Sequence, residues 1–172
     1  MKPQILPLVL ALAAPLAAAS PADCLVGRWE PDGNGAAEWV QRQAPGMQMA
    51  IQQQAAELEL RADGSYSAWA QVQAQAGAGG SGLHGSSRAQ LTARGRWSAD
   101  AGTLTLVPDA SASQASGSLE VGNGRGLAQK LKLPQLRQQT SSQQYSCSGQ
   151  LLETRTQIRG VADPVVQRYR RK

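Results

Sequence analysis

The sequence predicts an all-β, mainly antiparallel domain, a sandwich or barrel, with one short helical insertion. Three observations carry this. Short runs that alternate apolar and polar residues recur along the chain, separated by Pro31-Asp32-Gly33-Asn34-Gly35, Asp63-Gly64 and Asp100-Ala101-Gly102 turn signals. Only one block, residues 36–55, carries apolar residues at spacings of three and four, the period of a helix face. Closing the sheet on itself is the simplest way for so many strands to hide their edges.

Residues 1–19, MKPQILPLVLALAAPLAAA, come before the fold. A positive start at Lys2, an apolar run from Ile5 to Leu16 and the small Ala17-Ala18-Ala19 read as a signal peptide cleaved near Ala19-Ser20. The run is shorter than the roughly 20 apolar residues of a membrane span and is broken by Pro7 and Pro15. Pro21-Ala22-Asp23 before Cys24 does not suit lipid attachment, so the expectation is a free periplasmic or secreted protein. The remaining 153 residues (172 minus 19) make one domain, residues 20–172.

The elements follow in order. Leu25 to Glu30 is a short strand stopped by the Pro31–Gly35 turn. Ala36, Val40, Ala44, Met47, Ile51 and Ala55 mark a helical face that Pro45-Gly46 interrupts, giving two short helices or one kinked one. Leu58 and Leu60, then Tyr66, Ala68, Ala70 and Val72, alternate on either side of Asp63-Gly64, a β-hairpin. Trp69 falls on the otherwise polar face of that hairpin. Residues 76–87, AGAGGSGLHGSS, read as a flexible glycine-rich loop that holds the single histidine, His84.

In the second half, Ala89, Leu91, Ala93, Gly95 and Trp97 share one face, and Leu104 and Leu106 continue beyond the Asp100-Ala101-Gly102 turn. Residues 118–121, 127–133 and 143–152 alternate in the same way, and Ile158 to Val161 and Val165 to Tyr169 read as closing segments.

The core has no phenylalanine to draw on and depends on Leu, Val, Trp, Tyr and Ala, so a covalent staple is useful. The two cysteines, Cys24 and Cys147, read as one disulfide in an exported chain. Closing so long a loop contributes roughly 4 to 5 kcal/mol by chain entropy, with ~2 to 4 kcal/mol more usual.

Without Lys2 the charge is +4, from 16 basic and 12 acidic residues. Much of the excess lies in Arg168, Arg170, Arg171 and Lys172, which could make a weak contact with an anionic surface. A solvated end of the last strand is the simpler account. Export argues against nucleic acid as a partner.

Chemistry is hard to find in this chain. The carboxylates sit in turns (Asp32, Asp63, Asp100, Asp109, Asp163) or on polar strand faces (Glu57, Glu59), where they cap and hydrogen-bond backbone. One histidine, no thiol left after pairing and no Gly-x-Ser-x-Gly elbow leave neither a nucleophile–base pair nor a metal cluster. The expectation is a protein that is not an enzyme and holds no cofactor or metal.

Gly27-x-Trp29 on the first strand, followed by Leu58-x-Leu60, Asp63-Gly64-x-Tyr66, Gly95-x-Trp97 and Tyr145-Ser146-Cys147, resembles small exported bacterial lipocalin-like (calycin-type) barrels. The resemblance covers residues 24–30, 57–72, 93–107 and 143–152, and it lacks the Thr-Asp-Tyr triplet and final helix of larger lipocalins. It implies a lipocalin-like barrel in which Trp29 plugs one end above Gly27. Gly95 and Trp97 are the matching candidates on a second strand.

The resemblance also implies a small apolar or amphipathic ligand inside. Trp39, Tyr66 and Trp69 are the candidates to face a ligand or partner. The alternative expectation is a protein-interaction module, such as an envelope assembly factor or an enzyme inhibitor, with a filled barrel and no ligand.

Overall fold

The computed structural model describes residues 23–43, 48–77, 84–122, 128–133 and 139–172. The expected signal segment and residues 78–83 of the expected loop lie outside the described residues.

Gly27–Pro31 forms strand β1, which ends where Pro31 and Gly33 turn the chain into helix α1, Gly35–Gln43. Asn34 caps the helix, its side-chain Oδ1 accepting from the Ala37 amide at 3.3 Å. The helix is shorter than the predicted insertion, because residues 48–55 lie in strand β2, Gln48–Leu60. The reason lies in the spacing. A spacing of four is both one helical turn and two pleats of a strand, and in β2 a register shift between Gln53 and Ala55 then sets Ile51 and Ala55 on opposite faces.

β2 turns at residues 61–64 into β3, Ser65–Gly77. Gly64 takes the positive φ of that turn, +77°, and Asp63 Oδ1 accepts from the Ser65 amide at 2.8 Å. Strand β4, His84–Asp100, pairs with β3 along residues 84–96, so Ala76, Gly77 and His84 to Ser87, expected in a flexible loop, are ladder residues. β4 reaches β5, Thr103–Pro108, through Ala101 and Gly102, with φ of +46° and +78°. This is the two-residue turn with both central φ positive, at Ala101-Gly102 rather than Asp63-Gly64.

β6 (Gln114–Gly122), β7 (Ala128–Leu133), β8 (Ser141–Ser148), β9 (Leu151–Thr156) and β10 (Val165–Arg171) follow. Ile158 to Val161, expected as a closing strand, is instead a turn in which the Val161 amide donates to the Ile158 carbonyl at 3.1 Å.

Eight strands close an antiparallel barrel in the ring order β1-β2-β3-β4-β5-β8-β9-β10 and back to β1. It is a meander with one excursion. The β6–β7 hairpin leaves the ring and pairs with residues 84–92 of β4, on the same edge that β5 takes at residues 95–100. β1 reaches only as far as Trp29↔Leu58 along β2, so β2, β3 and β4 run on past the barrel.

One end of the barrel is filled. Leu25, Trp29, Leu60, Tyr66, Leu104 and Leu152 are buried there, and burial of each large apolar side chain contributes roughly 1.5 to 3 kcal/mol. The expected disulfide joins Cys24 to Cys147 across this end. Gly95 makes room: a Cβ there would press on the Val107 carbonyl and come within 2.9 Å of the Tyr66 ring. Among the described residues every buried side-chain polar atom has a partner.

Candidate functional site: the half-filled barrel

Strand alternation decides what faces the interior. Trp29 points inward with no exposure, and its Nε1 donates to the Leu25 carbonyl at 2.8 Å. The Arg171 guanidinium lies 4.3 Å from the centre of the Trp29 ring. Its Nη1 and Nη2 donate to the carbonyls of Val26 (2.7 Å) and Cys24 (2.6 Å), and its Nε to Gly149 at 2.9 Å. A side chain at Gly27 would collide with that guanidinium, so the glycine is what admits it. Arg171, Trp29 and the disulfide form a sealed floor.

The sequence reading placed Arg171 in a basic tail. The signal that finds it is period two: counting from Tyr169, a core-packed residue, Arg171 is the next inward position.

The other cations of that tail are matched on the outer face. Arg168 pairs with Glu153 at 3.0 Å, Arg170 with Asp32 at 3.1 Å, and Lys172 with both Glu30 (2.8 Å) and Glu57 (3.1 Å). Arg28 and Arg61 flank Glu59, and Arg155 joins Glu153. Hydrogen bonds from Arg155 and Arg168 hold the Glu153 carboxyl below its ordinary value. The basic tail of the sequence is here part of a set of outer-face ion pairs.

At the opposite end the lining changes. Above Trp29 the inward positions are Ala56 and Leu58 on β2, Ala68 and Ala70 on β3, and Leu91 and Ala93 on β4. These small side chains leave a cavity of about 200 Å³, which Leu106, Gln143, Gln167 and Tyr169 close on the other side. One wall is therefore aliphatic, the other carries neutral polar groups, and Pro31, Gln53, Glu57 and Trp69 complete the lining.

Gln143 accepts through Oε1 from the Thr156 hydroxyl at 3.2 Å, and Gln167 donates through Nε2 to the Arg168 carbonyl at 3.0 Å. Those bonds leave a donor on Gln143 and an acceptor on Gln167. Burial raises the Tyr169 phenol pKa, with the Thr154 hydrogen bond opposing it, so the group is a neutral hydroxyl throughout the physiological range. Neither glutamine stood out in the sequence. Polar residues at inward-facing positions of β8 and β10 are the signal that marks them.

The expected site residues divide. Tyr66, 3 % exposed, is packed into the floor rather than facing a ligand or partner. Trp97 packs against the same core, its Nε1 donating to the Arg61 carbonyl at 2.8 Å. Trp69 is 40 % exposed and sits in an outer groove with Glu30, Glu57 and Lys172. Trp39, on α1, donates from Nε1 to the Asp163 carbonyl at 2.8 Å and ties the helix to the β9–β10 connection. His84 is exposed and lies over Gly122, within 3 Å of where a Cβ would be. Among the described residues no three His, Cys, Asp or Glu side chains gather to hold a metal ion, and no helix is long and apolar enough to cross a membrane.

The fold and site define a class: a closed eight-stranded antiparallel meander barrel, stapled at a filled floor and hollow at its mouth. No protein-family description, curated protein or solved structure matches the chain.

Proposed function

We propose that the chain is an exported lipocalin-like binding protein that holds a small apolar or amphipathic molecule in the mouth of its barrel. The observation that carries this reading is the asymmetry of the interior. Trp29, Leu60, Tyr66 and Leu104 fill the floor, whereas a run of alanines leaves about 200 Å³ open at the mouth. A barrel that only had to be stable gains from filling that space too, since each missing core methylene costs of order 1 kcal/mol.

Export is supported by the disulfide, which persists in oxidising compartments, and by the signal-like character of residues 1–19. The Gly27-x-Trp29 pair at the floor supports the lipocalin-like reading.

The test is native mass spectrometry of the protein purified from its own envelope or medium. The expected result is an added small-molecule mass that Ala70→Phe, which fills the mouth, removes. A bare mass for the native protein, with no ligand recovered on extraction, would overturn the reading.

A second reading, the protein-interaction module, has one observation in its favour. Trp69 stands exposed in the outer groove beside Glu57 and Lys172, and it also borders the cavity. Cross-linking in the native compartment distinguishes it: loss of a partner on Trp69→Ala, with ligand retained, supports the module.

A further inference from the structure

The apolar lining does not stop at the barrel. Past the last β1 partner, β2, β3 and β4 continue side by side, and β6 and β7 widen them to five strands. Register fixes which residues share the cavity's face. Val72 lies opposite Ala89, Ala74 opposite Ser87 and Ala76 opposite Gly85, all in phase with Ala70 and Leu91. On the flanks, Gln53 pairs with Val72 and Ile51 with Ala74, and Leu119 and Val121 pair with Ser87 and Gly85. The opposite face carries Gln71, Gln75, Arg88, Gln90 and Glu120 and is polar.

Small side chains along two adjacent strands, bordered by larger ones that are aliphatic apart from Gln53, cut a trough that begins in the mouth. From Ala68 to Ala76 is eight residue steps along β3, or about 26 Å at ~3.3 Å per residue. The face is open: Leu91 and Val121 on it are 39 % and 40 % exposed.

Resting on the ligand-binding reading above, we infer that the ligand is an uncharged single-chain amphiphile. Its hydrogen-bonding end meets Gln143 and Gln167, and its hydrocarbon arm runs out of the mouth along the β3–β4 trough. Two observations select this occupant. The first is charge. The polar wall offers an amide donor, an amide acceptor and a phenol, with no cation among the described residues lining the cavity. The one carboxylate that lines it, Glu57, is paired with Lys172 at 3.1 Å. The inward Arg171 has its guanidinium committed to three floor carbonyls. A buried carboxylate or phosphate would lack a counter-ion there, a state that costs several kcal/mol, whereas a hydroxyl, ester or amide matches one donor and one acceptor.

The second observation is shape. The trough is about two strands wide and longer than the roughly 15 Å that an acyl chain spans in half a bilayer core. It has room for one extended hydrocarbon arm.

The experiment uses the mature oxidised protein and three probes below their aggregation concentrations: monopalmitin, palmitate at pH 8 and monobutyrin. Binding is read by isothermal titration and native mass spectrometry. Monopalmitin should bind, with palmitate and monobutyrin each at least about tenfold weaker. Ala89→Phe and Ser87→Phe, which obstruct the trough on an open face, should weaken monopalmitin by about tenfold, leave monobutyrin unchanged and leave the melting temperature within about a degree. Palmitate binding as tightly as monopalmitin would overturn the neutral head. Equal affinity for monopalmitin and monobutyrin, or indifference to both Phe variants, would overturn the trough while the cavity reading stands. Binding of none of the three would remove the binding reading itself.

Discussion

The floor of the barrel makes a sharp claim about two neighbouring arginines. Arg171 faces inward and Arg170 outward on the same strand. Arg171→Ala removes hydrogen bonds from a cation to the partly buried Val26 and Cys24 carbonyls and the stacking on Trp29. Hydrogen bonds to charged groups are worth roughly 1.5 to 3 kcal/mol each, and a partly desolvated cation–π contact roughly 0.5 to 2. Water can reach the exposed Gly149 carbonyl, and the terms are not additive, so the expected loss is about 3 to 5 kcal/mol.

Arg170→Ala breaks one ion pair whose side chains are 66 % and 41 % exposed, worth about 0 to 1 kcal/mol. Urea unfolding of the oxidised mature protein reads both. At roughly 2 to 4 °C per kcal/mol for a domain of this size, Arg171→Ala should melt about 6 to 20 °C lower. Arg171→Lys, which keeps the charge and loses the planar fork, should fall between the two. Equal, small losses for Arg170→Ala and Arg171→Ala would refute the floor as a stabilising device and return Arg171 to the basic tail.

The two tryptophans of contrasting burial should separate widely: Trp29→Ala should cost about 3 to 5 kcal/mol as a core truncation, and Trp69→Ala under about 0.5 kcal/mol, both measured by denaturant melts. Thiol titration of the native mature protein should find no free cysteine. The Cys24→Ser/Cys147→Ser double variant should lose ~2 to 4 kcal/mol, and two titratable thiols in the wild type would contradict the staple.

Glu153, held low by Arg155 and Arg168, adds stability that is fully present above the unfolded value near ~4.3 and is lost as pH falls through the lower folded value. The stability gap between wild type and Glu153→Gln should therefore close in acid, and a gap independent of pH would refute the pairing. Ala101 holds a positive φ of +46° with a side chain that disfavours it. Ala101→Asn should raise stability by about 0.5 to 1 kcal/mol, and a lower melting temperature would show that the turn has no strain to relieve.

Much of the barrel was legible because one face of each wall strand is buried and the other wet. Period two then shows in the residues themselves, as in Leu58-x-Leu60 and Gly95-x-Trp97. It failed where that contrast is weak. Residues 48–55 are glutamine and alanine with one methionine and one isoleucine, so a strand past the barrel's edge read as helix. Gly85, Ser86 and Ser87 read as loop because the ladder there is held by backbone pairing and not by a core.

Of the candidate site, Trp29 and the cysteine pair were visible as residue types that need burial or bonding. Gln143 and Gln167 were not. Among the many glutamines of this chain, these two are set apart by being in phase with the core-packed Tyr145 and Tyr169, a mark that gains meaning once the ring closes.

The division of the interior has a physical logic. The disulfide, Trp29 under Arg171, and Leu60, Leu104 and Leu152 concentrate packing and cross-linking at one end of a chain poor in large apolar residues. The ring of hydrogen-bonded strands transmits that order to the mouth, because a closed barrel has no edge from which to fray. The mouth can then carry alanines and uncharged amides, which contribute little to stability but leave room for hydrogen-bonding groups. The same small residues recur on β3 and β4 beyond the barrel, where no core requires them, and there they keep a path open that bulkier strand formers would close.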